Sequence, residues 1–295
     1  MTTVSDDLTR PRRTVLYLPG ANARALEKSR TLDADSLILD LEDAVAPDSK
    51  ATAREQVRSA VAEGGFSHRE VLVRVNGLET GWFAEDLAAF AAAPPDGILV
   101  PKVSSVTDVH AVEAALEEAG IPDEVPLWAM LETPRAVLDA GEVVHASERL
   151  VGFVLGTNDL AKELRASHVP GRAPLLPSLT WCLLAVRDAG KIAIDGVYND
   201  LDDAEGFAAE CTQARELGYD GKTVIHPKQL AACNAAFTPT DAEVEAAREV
   251  ITAFEAAQAE GRGVVTVNGK LIEALHVEQA QLTVTRAEAI NARQD

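Results

Sequence analysis

Short β-branched and apolar runs recur along the chain, each closed by a polar or charged residue: TVLYLPG, SLILDLED, VLVRVNG, GILVPKV, VPLWAMLET, LVGFVLGTND, KIAIDGVYND and GKTVIHP. Runs apolar at nearly every position read as parallel strands buried on both faces. Ala-, Leu-, Glu- and Arg-rich segments of helical character separate them, so the chain completes eight βα units by about residue 235. Eight repeats predict an α/β fold of the (β/α)8 TIM-barrel class rather than an open doubly wound sheet. No GxGxxG follows the first run, which counts against a dinucleotide-binding sheet.

Helix punctuation supports these divisions. Asp202 and Asp203 precede AEGFAAECTQAREL, which stops at Gly218, an N-cap and a C-cap in the expected places. Beyond the eighth unit, Pro239-Thr240-Asp241 opens a long helix over 242–258, GRGVVTVNGK reads as a turn and a short strand, and 272–292 as a last helix. The expected division is therefore a catalytic barrel over residues 1–237 and a C-terminal helical extension over 238–295. That extension is too short for a domain of typical size and is expected to serve as a lid or a subunit-exchange arm.

Composition narrows the function classes. The 295 residues are 47% hydrophobic, enough for one barrel core of roughly 250 residues and an appendage. With 47 acidic against 27 Lys and Arg residues, the net charge of −20 disfavours nucleic acid and anionic membranes as partners. No apolar run approaches the roughly 20 residues of a membrane helix, and MTTVSDDLTRPRR lacks the apolar core of a secretory signal, so a cytoplasmic location is expected. Cys182, Cys211 and Cys233 show no CxxC pair and read as reduced, buried thiols. The sign reverses near the start, where Arg10, Arg12, Arg13, Arg24, Lys28 and Arg30 outnumber the acids. This basic island is either an anion-docking surface or a solvated tail and helix face.

The candidate chemistry follows from barrel geometry, because the C-terminal ends of all strands converge on one mouth. Glu42, Asp43, Arg74, Glu132 and Asp159 end their runs there and are expected to share one pocket. Glu132 and Asp159, on adjacent strands, suit a Mg²⁺ ion that keeps water and substrate ligands; alternatively each caps the helix that follows. Of the consecutive Glu42 and Asp43, only one is expected to face the barrel axis. Arg74, inside an apolar run, needs an anionic partner, for which Glu42 or Asp43 would suffice without any catalysis. Gly156-Thr157-Asn158 offers backbone N–H groups to a substrate carboxylate, or is an ordinary turn. Lys102 and Lys222 admit a Schiff-base alternative or, for Lys102, a phosphate contact, while His226 before Pro227 fits a structural helix start.

Together, TVLYLPGANARALEKS, LILDLEDAVAPDSKATAR, VLVRVNG, GILVPKV, LWAMLETPRAV, GFVLGTNDLA, AIDGVY and GYDGKTVIHPKQ resemble the citrate lyase β-subunit and malyl-CoA lyase family of the HpcH/HpaI aldolase superfamily, in order from Arg12 to Phe237. The resemblance implies a (β/α)8 barrel assembled as homotrimers or hexamers. It also implies a Mg²⁺-dependent carbon–carbon lyase acting between a CoA thioester and a short 2-oxo acid. By motif, Glu132 and Asp159 take the metal-ligand positions, Arg74 that of the arginine beside the reacting carbonyl, and Glu42 and Asp43 the acidic pair near the metal. Asn22, Arg24 and Lys28, with Arg13 before the first strand, are implied to meet the CoA phosphates.

In the CoA-dependent members an Asp in a GxMIDxP-like lid, supplied by a neighbouring subunit, enolises the thioester. Here the segment is Gly269–Leu275, Glu273 stands at the Asp position, and the proline is absent. The implied substrates are malyl-, citramalyl- or methylmalyl-CoA-like compounds. A malyl-CoA thioesterase, the citryl-thioester lyase β subunit of a citrate lyase complex, and a non-catalytic CoA-binding subunit stand as alternatives.

Overall fold

The computed structural model describes residues 9–293, which form two compact units. One is Arg12–Phe237; the other runs from Thr238 onward and includes the residues just before Arg12. Those few N-terminal residues thus group with the tail, not with the barrel, and Pro11 O accepts a hydrogen bond from Arg293 Nη1 at 3.1 Å.

The first unit is a closed barrel of eight parallel strands in chain order. Its strands are β1 (Thr14–Pro19), β2 (Ser36–Asp40), β3 (Glu70–Arg74), β4 (Gly97–Val100), β5 (Leu127–Leu131), β6 (Leu150–Leu155), β7 (Ile192–Asp195) and β8 (Gly221–Val224). The intervening helices are α1 (Ala23–Ser29), α2 (Lys50–Glu63), α3 (Phe83–Ala89), α4 (Val106–Ala119), α5 (Pro134–Leu138), α6 (Ala140–Val143), α7 (Thr157–Leu164), α8 (Leu176–Asp188), α9 (Ala204–Leu217) and α10 (Leu230–Phe237). Every strand expected from the sequence is present. The Asp203 side chain caps α9, and Gly218 ends it at φ 107°.

Strand residues alternate between two environments. Leu37, Leu39, Leu41, Val71, Val73, Val75, Leu127, Ala129 and Leu131 join the apolar core beneath the helices. Their neighbours of opposite parity point into the barrel. Trp128 fills the interior there: a Cβ at Gly152 would overlap its ring, and one at Gly97 would crowd the ring at 3.1 Å and overlap Leu72, so the two glycines make room for it. Opposite Trp128 the register with β6 skips Val151, a bulge that brings Gly152 to the indole. The N-terminal end is closed by ion pairs. Arg12 bonds Glu70 through two 2.7 Å contacts and lies over the Trp128 ring, and Arg13 bonds Asp35 at 2.8 and 2.9 Å.

The second unit contains α11 (Asp241–Ala259), the strands β9 (Val265–Val267) and β10 (Lys270–Ile272), and α12 (Ala274–Asn291). Thr240 and Glu243 form a capping box at the start of α11. Where a turn and one short strand were expected, the structure has a two-stranded hairpin. Asn268 and Gly269 turn it, both at positive φ, as a tight hairpin with the strands' right-handed twist requires. Phe254, Val267, Ile272 and Val277 form the unit's own apolar cluster. Cys182, Cys211 and Cys233 are free and buried, and among the described residues no helix is long and apolar enough to cross a membrane.

Candidate active site

At the C-terminal ends of the barrel strands a cavity encloses about 330 Å³. The two-residue period of a strand fills its walls. Asp40 follows Ile38 on the inward face of β2, Arg74 follows Leu72 on β3, and Trp128, Met130 and Glu132 succeed one another on β5, so polar groups surmount an apolar layer. Tyr17, Asp40, Arg74, Met130, Glu132 and Asp159 all line the cavity.

Arg74 is its centrepiece. Asp40 and Arg74 are register partners across β2 and β3, and the guanidinium grips both carboxylate oxygens of Asp40, Nε to Oδ1 and Nη2 to Oδ2, at 2.7 Å each. Nη1 lies 2.8 Å from Glu42 Oε2 and 3.9 Å from Asp43. The group also stacks 4.9 Å from the Tyr17 ring centre. Burial opposes its charge, but Asp40 and the other anions outweigh burial and hold Arg74 above the ordinary arginine range. Arg74 does pair with Glu42, as expected, but its two-pronged partner is Asp40, which the sequence reading did not name. Period two held the missing signal, since Asp40 shares the inward parity of Glu42. Asp40 also accepts the backbone N–H groups of Glu42 and Ala44, at 2.8 and 3.0 Å, which fixes the turn after β2.

Of the consecutive acids, Glu42 is buried and Asp43 exposed, and it is Asp43 that lines this cavity while Glu42 lines a neighbouring one. Burial raises the Glu42 pKa against the lowering influence of Arg74 and of the Lys102 ammonium, which donates to Oε1 at 2.9 Å.

Glu132 is 1% exposed, and its Oε1 accepts the Lys102 N–H at 2.8 Å. Gly156 lies against it; a methyl group there would overlap the Glu132 carboxylate. Asp159 is half-buried and sits in the first turn of α7, four residues beyond the end of β6 and not at the strand end that the sequence suggested. Neither acid caps a helix: Thr133 caps α5, and Gly156 stands before α7. Burial, then the Glu42 charge, and in smaller measure Asp159, push the Glu132 carboxyl up to about 8 despite Arg74. A site that crowds carboxylates enough to keep one protonated suits a divalent cation, and hard oxygen donors suit Mg²⁺. Among the described residues no three His, Cys, Asp or Glu side chains form a complete metal cage, so water and substrate oxygens must complete any coordination shell.

The 156–158 segment is only partly available. The Gly156 N–H donates to Leu131 O at 3.2 Å, which removes it from the expected anion contacts, whereas Thr157 and Asn158 open α7, where N–H groups lack partners within the helix. Asn158 and Asn199 exchange amide hydrogen bonds of 3.2 and 2.7 Å across the mouth. Asn199 went unrecognised in the sequence, as did Tyr17 and Met130; the last two sit within apolar runs, where nothing marks them apart from core positions.

The basic island does not form one surface. Arg13 is bound to Asp35 at the N-terminal end of the barrel, opposite the cavity, which corrects its expected contact with CoA phosphates. Asn22 caps α1 by accepting the Ala25 N–H, while Arg24 and Lys28 are exposed on that helix. Lys222 is fully buried, its ammonium 2.8 Å from Asp195 and 2.7 Å from Glu210, with Arg172 on the far side of Asp195. Burial alone would lower its pKa, but Asp195 and Glu210 raise it, so the free amine that a Schiff base requires is suppressed. His226 caps its turn by accepting the Lys228 N–H. Glu273, in the second unit, is exposed at the head of α12, and its N–H donates to His276 Nδ1.

A family model described as HpcH/HpaI aldolase/citrate lyase matches residues 13–227. The chain belongs to the HpcH/HpaI aldolase/citrate lyase family. A second model, for carbon–carbon bond lyases of the TIM-barrel fold, matches residues 181–291. The chain is similar to a Cereibacter sphaeroides (strain KD131) protein named (3S)-malyl-CoA thioesterase, with 50% identity over 282 residues and 96% of each chain. It is also similar to the citrate lyase subunit beta of Escherichia coli K12, with 38% identity over 292 residues and 97% of each. Among solved structures, the CitE protein of Mycobacterium tuberculosis in complex with magnesium, acetoacetate and coenzyme A superposes with a TM-score of 0.76 at 28% identity. That match covers 95% of this chain and 99% of the other.

Proposed function

We propose that this member of the family is a Mg²⁺-dependent carbon–carbon lyase of short hydroxyacyl-CoA thioesters of the malyl, citramalyl or methylmalyl kind. It releases, or in reverse condenses, a CoA thioester and a short 2-oxo acid. The observation that carries the reading is the shared cavity: two crowded carboxylates, Glu132 and Asp159, face the same space as the buried Arg74 guanidinium. Glu132 and Asp159 would hold the cation. Mg²⁺, when bound, acts as a Lewis acid on the 2-oxo carbonyl. Arg74, clamped by Asp40, offers a fixed positive charge to the oxygen that gains negative charge as the carbon–carbon bond forms or breaks. The N–H groups of Thr157 and Asn158 orient the acid's carboxylate. Arg24 and Lys28 attract the CoA phosphates, and Glu273 removes the thioester α-proton in the condensing direction. Assembly is as homotrimers or hexamers.

Hydrolysis of the malyl thioester is a second reading, supported by 50% identity to proteins named (3S)-malyl-CoA thioesterase. Incubating the protein with malyl-CoA and Mg²⁺ and analysing the products separates the two. Acetyl-CoA with glyoxylate supports the lyase, malate with free CoA supports hydrolysis, and turnover of no hydroxyacyl thioester in the series removes both.

A further inference from the structure

Lys102 stands two residues beyond β4 in the left-handed region, at φ 58°, a conformation that a residue with a Cβ rarely adopts. Surrounding bonds hold it there. The Ser104 hydroxyl donates to Lys102 O at 3.0 Å and shares a 2.8 Å bond with the Thr133 hydroxyl that caps α5. The bend aims the two ends of one residue at two different carboxylates. Its N–H reaches Glu132 Oε1 at 2.8 Å, and its ammonium reaches Glu42 Oε1 at 2.9 Å. The other Glu42 oxygen lies 2.8 Å from Arg74 Nη1, so Glu42 is shared between two cations. Arg74 already has a dedicated anion in Asp40. Were the Lys102 ammonium removed, the Glu42 charge would fall on Arg74 alone, and two carboxylates would then quench the positive charge that faces the cavity.

We propose that Lys102 is a positioning residue: its backbone fixes Glu132, and its ammonium draws off part of the Glu42 charge so that Arg74 keeps its own for the reacting oxygen. The inference rests on the role given to Arg74 above. Lysine suits the task because its side chain is half exposed and reaches Glu42 from the solvent side.

The test uses the full-length protein with Mg²⁺ and whichever thioester the wild-type protein turns over. Lys102→Met keeps the backbone N–H and removes the ammonium, so kcat should fall roughly 10- to 100-fold, the range for lost partners of site residues, while KM and Mg²⁺ affinity stay within about twofold. Lys102→Gly, which relieves the left-handed backbone, should fold readily and show the same loss. Because the effect runs through Glu42, Lys102→Met should change kcat by less than about twofold in a Glu42→Gln background. Wild-type kcat in Lys102→Met, an equal loss in both backgrounds, or a loss confined to Mg²⁺ affinity would overturn the inference. Arg74→Lys distinguishes the two layers. If it retains full turnover, the Arg74 reading fails and this inference with it; if it loses turnover while Lys102→Met does not, only the inference fails.

Discussion

Asp40 and Arg74 face each other across β2 and β3 in direct register, and both nitrogens of the guanidinium edge meet both carboxylate oxygens at 2.7 Å. Adjacent parallel strands bring register partners to the same height, so the two side chains meet without either backbone bending. The bidentate match is specific to a planar fork. It leaves Nη1 to face Glu42.

Arg74→Lys keeps the charge and loses the fork. Turnover is expected to fall on the order of a hundredfold or more, the scale of one lost oxyanion donor. Near-normal steady-state turnover would reduce Arg74 to a structural ion-pair partner. Asp40→Asn should destabilise the protein by about 3 kcal/mol in urea unfolding, because it strips a buried arginine of its main anion.

Glu132 links metal binding to protons. In the cation-free protein its carboxyl titrates at about 8 when folded, against an ordinary value of 4.5. Between these values the folded state holds a proton that the unfolded state has lost, so stability falls as pH rises through this window and the penalty is complete above it. At pH 7, Mg²⁺ binding is expected to release about one proton, because a ligating carboxylate must be ionised. Calorimetry in two buffers of different ionisation enthalpy reads this directly; identical apparent enthalpies would remove Glu132 from the site. Asp159→Asn should weaken Mg²⁺ binding and activity together, and unchanged titrations would remove Asp159.

Gly156→Ala places a methyl group on the Glu132 side chain. The displaced carboxylate should lower Mg²⁺ affinity by about tenfold or more, the scale for a disturbed ligand support. Mg²⁺ titration of this variant at matched folded fraction checks it, and wild-type affinity would show that Glu132 has freedom to move.

Glu273→Gln removes only a base. Exchange of the thioester α-protons with D₂O, followed by mass spectrometry, should cease while Mg²⁺ and CoA binding persist. Continued exchange would assign proton abstraction to another group.

The sequence by itself determined the barrel. Each strand is an unbroken apolar run, a signal that depends only on neighbours in the chain, and the eight runs reappear as eight strands in chain order. It also brought Glu42, Arg74, Glu132 and Asp159 to one end, because residues at strand termini must converge when a parallel sheet closes. Tertiary structure alone decided who pairs with whom. Arg74 takes Asp40 in a two-pronged grip in addition to Glu42 because lateral register, set between strands more than thirty residues apart, fixes which side chains share a height. Arg13 and Arg24 are close in the chain, yet β1 lies between them, sending one to an ion pair at the base and leaving the other exposed beyond the strand's far end. The high Glu132 pKa and the left-handed bend at Lys102 were equally invisible. Both arise from burial and from contacts among β2, β4 and β5, which no local pattern of residues encodes.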